Sequence, residues 1–196
     1  MIEFLAACLL LISTPGPGVL STAGFGAAFG FKAGLRYVTG LCIGQLIVIA
    51  LVVSGLAAAV LAVPAIRTVL LVASTLYLLY LAARIAFAGS RIQFIEATAP
   101  PGVMAGILLQ PINPKAYVVN TTLFSGFLLF PGAYWSEVAV KIIILNLIWI
   151  PIHLAWLYAG VALERLNLPD RTQRAINIFM AVAMLAVVAL ALLSAK

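Results

Sequence analysis

The chain is 196 residues long, 65% of them apolar and 8% charged, with a net charge of +6 and a mean hydropathy of +1.23. Ordinary soluble domains run at about 45–50% apolar and about 25% charged, so the composition excludes one and points to an all-α integral membrane protein. The basic excess calls for no nucleic-acid partner, because membrane proteins collect Lys and Arg in their cytoplasmic loops.

A bilayer span takes about 20 apolar residues. By that measure the sequence places six, over residues 2–24, 38–62, 68–88, 103–130, 138–161 and 175–194. The first carries Glu3, has no basic region ahead of it, and continues apolar well past residue 14. It therefore reads as a span and not as a cleaved signal peptide. STPGPGVLS, residues 13–21, interrupts it. Proline in a helix interior costs about 3 kcal/mol and glycine about 1 kcal/mol, so this span reads as a broken helix.

Gly26, Gly30 and Gly34, and then Gly40 and Gly44, follow at four-residue steps that let helices approach closely. FGFKAGLRY reads as the connector to the second span. Cys8 and Cys42 have no metal-type spacing partner and read as packing residues. The third span carries LYLLYLAARIAF, an apolar run ending at an interface. The fourth contains GILLQPINPKAYVV, a second broken helix at Asn113-Pro114. Lys115 follows directly. A lysine at this depth costs roughly 2.5–3.5 kcal/mol and marks a substrate or ion path, or else snorkels or pairs with carbonyls. The fifth span holds Asn146 and, two residues after Pro151, His153, the single histidine of the chain. That histidine has two readings, a carrier of a coupling proton or a packing histidine satisfied by a neighbour.

The loops after spans one, three and five hold Lys32, Arg36, Arg84, Arg91, Arg165, Arg171 and Arg174, whereas Arg67, Lys141 and Lys196 fall on the other side. The positive-inside rule then puts both termini outside the cytoplasm. The two broken spans lie 99 positions apart, from Thr14 to Asn113, and each half of the chain holds three spans. An odd number inverts the second half. The expected architecture is a single transporter domain, 1–196, of six transmembrane helices in two inverted three-helix repeats, about 1–97 and 98–196.

Thr-Pro and Asn-Pro are helix-start signatures: the side chain caps free amides and proline suits the first helical position. Each broken span would start a half-helix near the bilayer midplane, with amides and a positive dipole end directed inward. Carbonyls freed in the preceding turn would accept from an ammonium. Donors for a carboxylate beside acceptors for an ammonium describe a site for a zwitterion. The residues proposed to bind substrate are Thr14, Pro15, Gly16, Pro17, Gly18, Asn113, Pro114 and Lys115, with Gln45, Gln110, Asn120 and Asn146 as further side-chain candidates or interhelical links. The acids Glu3, Glu96, Glu137, Glu164 and Asp170 sit at span ends or in loops. That speaks against a hard-cation exporter, which would want oxygen anions at its site. No acid–base pair, phosphate-binding loop or zinc spacing appears, so no enzyme, cofactor or metal is expected. The expected partners are a small-molecule substrate and the lipid bilayer, and the glycine steps permit a homodimer.

With STPGPGVLS and GILLQPINPKAYVV both in view, the chain resembles the LysE/RhtB family of amino-acid exporters over nearly its whole length. GFKAGLRYVTGLCIG, LYLLYLAARIAF and RTQRAIN add weaker likenesses. The resemblance implies a bacterial inner-membrane exporter of amino acids driven by the proton gradient. The sequence departs from the family pattern at Gly18, where asparagine is usual, at Ala82-Ala83, and in a last span without the usual glycines.

Overall fold

The computed structural model describes residues 1–14, 16–86, 100, 102–166, 169, 171, 172, 174–176, 178, 179 and 182. Its elements are α1 (Ile2–Ser13), α2 (Pro17–Val53), α3 (Leu56–Leu61), α4 (Pro64–Ala86), α5 (Val103–Ile112), α6 (Pro114–Ser125) and α7 (Tyr134–Arg165), with no strand among the described residues. Pro15, most of the connector after α4 and most of the expected sixth span lie outside the described residues.

Among the described residues, two helical stretches are long and apolar enough to cross a bilayer, Pro17–Val53 and Tyr134–Leu163. The expected first and fourth spans are each divided. At 1.5 Å per residue, α1 and α5 rise only about 18 and about 15 Å, roughly half of a 30 Å hydrocarbon layer. Each is followed, after a break, by another helix.

FGFKAGLRY contains the turn between two helical stretches, short and itself largely helical, as Ser21 and Tyr37 could not meet along one straight helix. α2 runs through it with one interruption, at Gly30, whose φ of 75° and ψ of 178° are not helical. Gly30 thus has a backbone role beyond the packing expected of it. Its backbone occupies a region open at low cost only to a residue without Cβ, and α2 kinks there. Buried Ser21 and Tyr37 brace the kink, with their hydroxyl oxygens 2.8 Å apart. Ser21 donates to the Pro17 carbonyl at 2.5 Å, which leaves its oxygen free to accept from Tyr37. Phe25 meets the Tyr37 ring edge-on at 4.7 Å.

Lipid is as apolar as leucine, so helices associate in it through close backbone packing and polar links. The other glycines of the repeated steps serve this. Gly26 and Gly34 face Leu157 of α7, and Gly160 of α7 faces the Ala23 carbonyl. Gly40 and Gly44 face α5, where Gly106 lies against the Tyr37 carbonyl. A Cβ on Gly26 would stand 2.6 Å from the Leu157 oxygen, and one on Gly44 2.8 Å from the Ile107 oxygen. α2 is thus the element that holds both α5 and α7. Large apolar side chains such as Leu10, Val118 and Leu147 stay exposed, as lipid-facing positions should.

Lys141, counted from the sequence only as a basic residue of the outer side, is built into the fold. It is buried, pairs with Glu137 at 2.7 Å and donates to the carbonyls of Phe124 and Phe127. The reason lies in α6, which ends at Ser125 and not near residue 130, leaving terminal carbonyls in need of donors. The second Glu137 oxygen accepts from the Leu129 and Phe130 amides at 3.1 and 2.9 Å.

Replacing Gly30 by alanine should destabilise the fold by about 1–3 kcal/mol, the usual cost of a side chain in such a backbone region. The expected reading is a lower Tm in detergent, and an unchanged Tm would mean that the kink does not need glycine.

Candidate functional site

The first helix break begins where α1 stops at Ser13. The Thr14 amide still bonds the Leu10 carbonyl at 3.1 Å, and Thr14 Oγ1 donates to that same carbonyl at 2.6 Å. Thr14 was expected to cap the helix that follows, but it closes the one before. The new helix starts one Gly-Pro later, with Pro17 at its first turn and Gly16 as an extended N-cap that has no side chain to offer. The positive end of α2 therefore opens without a side-chain cap.

The second break follows the expected pattern more closely. Asn113 Oδ1 accepts from the Lys115 amide at 3.1 Å, and Pro114 takes the first position of α6. The Asn113 carbonyl accepts from the Ala116 amide at 3.0 Å. Tyr117 ties the break together by donating to the Pro111 carbonyl at 2.8 Å. The amides of Lys115 and Ala116 are thus already engaged, and what the start of α6 presents is chiefly the Lys115 ammonium.

The two breaks meet. Lys115 Nζ donates to the Thr14 carbonyl across 101 residues of sequence. Gly16 makes the passage possible, since a Cβ there would stand 2.7 Å from Lys115 Cδ. Around this link lies a partly open pocket with about 430 Å³ of atom-free space, counting its mouth. Gly16, Gly18, Gln45, Gln110, Asn113, Lys115, Asn120 and His153 line it, all of them residues singled out from the sequence. Thr14, Pro17 and Pro114 are not among the lining residues: the two prolines start α2 and α6, and the Thr14 carbonyl is joined to the site through Lys115. Asn146 is placed elsewhere, donating to the Ile142 carbonyl and accepting from the Cys42 thiol.

The polar side chains differ in how far they are engaged. Asn120 Nδ2 donates to the Ala116 carbonyl at 2.7 Å, and its oxygen accepts from Gln45 Nε2 at 3.1 Å. Gln110 is 4% exposed and makes no side-chain hydrogen bond among the described residues, an arrangement rare for a buried amide. His153 Nδ1 lies 2.9 Å from the Trp149 carbonyl. A carbonyl only accepts, so Nδ1 carries the hydrogen, and Nε2 of the neutral ring is an acceptor. That nitrogen faces the pocket, 3.6 Å from where a Gly18 Cβ would be. The absence of a side chain at Gly18 leaves this approach clear.

Trp149 was missed from the sequence. It lines the pocket and stacks on His153 with ring centroids 3.5 Å apart. The signal was present, because an aromatic residue four before a histidine shares its helix face. The lining contains one cation and several neutral donors and acceptors, with no carboxylate.

A family model described as LysE type translocator matches residues 9–196, a stretch that includes both helix breaks and all of the lining. The chain belongs to the LysE type translocator family. The match bears out the resemblance read from the two proline-bearing stretches and makes this a membrane protein of a transporter family, with lipid around it and small molecules as its traffic. No curated protein and no solved structure matches the chain.

Asn113→Ala removes the one side-chain cap at the breaks and should cost about 1 kcal/mol of stability. Asn113→Asp keeps an acceptor and should retain most of it. Thermal unfolding of the three proteins in the same detergent checks this, and equal Tm values would show that the cap is dispensable.

Proposed function

We propose that the protein is a secondary transporter that exports amino acids, or small zwitterionic metabolites like them, across a bacterial inner membrane in exchange for protons. The observation that carries this reading is the meeting of two helix breaks and the Lys115 ammonium in one pocket of neutral polar side chains. A carboxylate would take the ammonium and the uncapped start of α2. Carbonyl and amide oxygens would take the substrate's own ammonium. His153 is the proposed proton carrier, as a buried ionisable ring with one nitrogen toward the pocket.

The architecture proposed with this function is six spans in two inverted three-helix repeats, both termini outside the cytoplasm, with one repeat rocking against the other. A divalent cation is a poorer cargo. Among the described residues no group of three His, Cys, Asp or Glu side chains could hold one, and Lys115 would repel it.

The test is efflux from cells fed mixed dipeptides, with every amino acid assayed outside. Intact protein, Lys115→Ala and an empty-membrane control are compared at matched expression. One or a few amino acids should leave faster only with intact protein. Losing a charge-assisted contact should cut that flux about tenfold to a hundredfold in Lys115→Ala. Identical efflux in all three would overturn the reading. In vesicles carrying an imposed pH gradient, His153→Gln should lose gradient-driven transport, and full retention would remove His153 from the coupling role.

A further inference from the structure

We infer that substrate binds by exchanging partners with the protein itself, inserting between the Lys115 ammonium and the Thr14 carbonyl, so that an acceptable substrate carries an anionic and a cationic group together. This rests on the transporter reading above. It adds how a zwitterion is taken in preference to a ligand of one charge, and what binding does to the two helix breaks.

Lys115 is a half-buried ammonium with no carboxylate in its pocket and no ion pair among the described residues. Its acceptor is the Thr14 carbonyl, a backbone group left over because α1 ends there. The pair is a ready-made donor and acceptor joining the end of α1 to the start of α6. Each is the complement of one end of a zwitterion. A carboxylate entering between them would accept from Lys115 and from the start of α2, while the accompanying ammonium would donate to Thr14. Every hydrogen bond lost is replaced.

Ligands with one charge lack this symmetry. A simple carboxylate would draw off Lys115 and bring no donor to the Thr14 carbonyl, so one hydrogen bond of the exchange is not replaced. A simple amine would have to displace a tethered ammonium, which competes at high effective concentration, and would then sit beside that cation with no anion between them. The buried Gln110 amide, which makes no side-chain hydrogen bond among the described residues, offers a further anchor in the lining. Binding also replaces a direct clamp between the breaks with a bridge one molecule long, so an occupied pocket holds α1 and α6 differently from an empty one.

The experiment takes the amino acid with the fastest efflux in the screen above, its deaminated carboxylic acid and its decarboxylated amine. The latter two are tested as competitors of amino-acid counterflow in proteoliposomes of intact protein. Each should compete at least about tenfold less well than the amino acid. Binding of the radiolabelled amine is then measured on purified intact protein, Lys115→Met and Gly16→Ala. With the internal ammonium removed, or pushed aside by the new methyl group, the amine should bind at least about tenfold more tightly.

A carboxylic acid that competes as well as the amino acid would overturn the exchange while leaving amino-acid transport intact. Amine binding unchanged in folded variants would do the same. Efflux of no amino acid in the screen would instead remove the transporter reading on which the exchange rests. The analogue series needs no variant, so it decides the matter even where a substitution prevents folding.

Discussion

A helix break in a membrane protein frees backbone groups that must be partnered by the protein or face a wet cavity. The arrangement of the pocket follows from how two such breaks are resolved. At the second, the asparagine side chain and carbonyl absorb the freed amides at the start of α6. At the first, the threonine hydroxyl turns back to the preceding helix, so the start of α2 has no side-chain cap and the Thr14 carbonyl takes a lysine from the other break. That one link brings residues 101 positions apart into the same pocket.

Two lysines show how the same chemistry serves structure and function. Lys141 and Lys115 both donate to backbone carbonyls at helix ends. Lys141 also has Glu137 at 2.7 Å, and the remaining oxygen of that carboxylate is occupied by two amides. Its charge is neutralised locally and its contacts are complete. Lys115 has no such partner among the described residues, and its charge stays available to whatever enters the pocket. A buried cation with its counter-ion is a fastening. Lys115, half-buried and without a counter-ion among the described residues, is the one proposed above to bind substrate.

Glycine sets the geometry that lets these groups meet. Gly30 turns the chain within α2, with Gly26 and Gly34 on either side of it against α7 and Gly40 and Gly44 further on against α5, and the Ser21–Tyr37 contact holds the turn. Gly16 admits the lysine stem and Gly18 leaves the histidine nitrogen open. The aromatic plate of Trp149 under His153 keeps the imidazole flat against α7 with Nε2 turned inward. Small residues near the pocket thus act by leaving room for the large polar ones.

The sequence by itself determined the solvent, the helical class and the family. Composition excludes a soluble domain, and two proline-bearing stretches at matched positions carry the rest. It also singled out eight of the pocket residues, because polar groups in apolar segments are costly and stand out against their surroundings. Three features were decided only by the tertiary structure. Thr14 faces backwards because Gly16-Pro17, and not Pro15, starts α2. Lys141 is buried because α6 ends early and needs a donor. Gly30 makes the kink, since a backbone angle leaves no trace in a repeat of identical residues. In the first two cases the outcome depended on which neighbour satisfied a backbone group, a choice that the local residue pattern does not record.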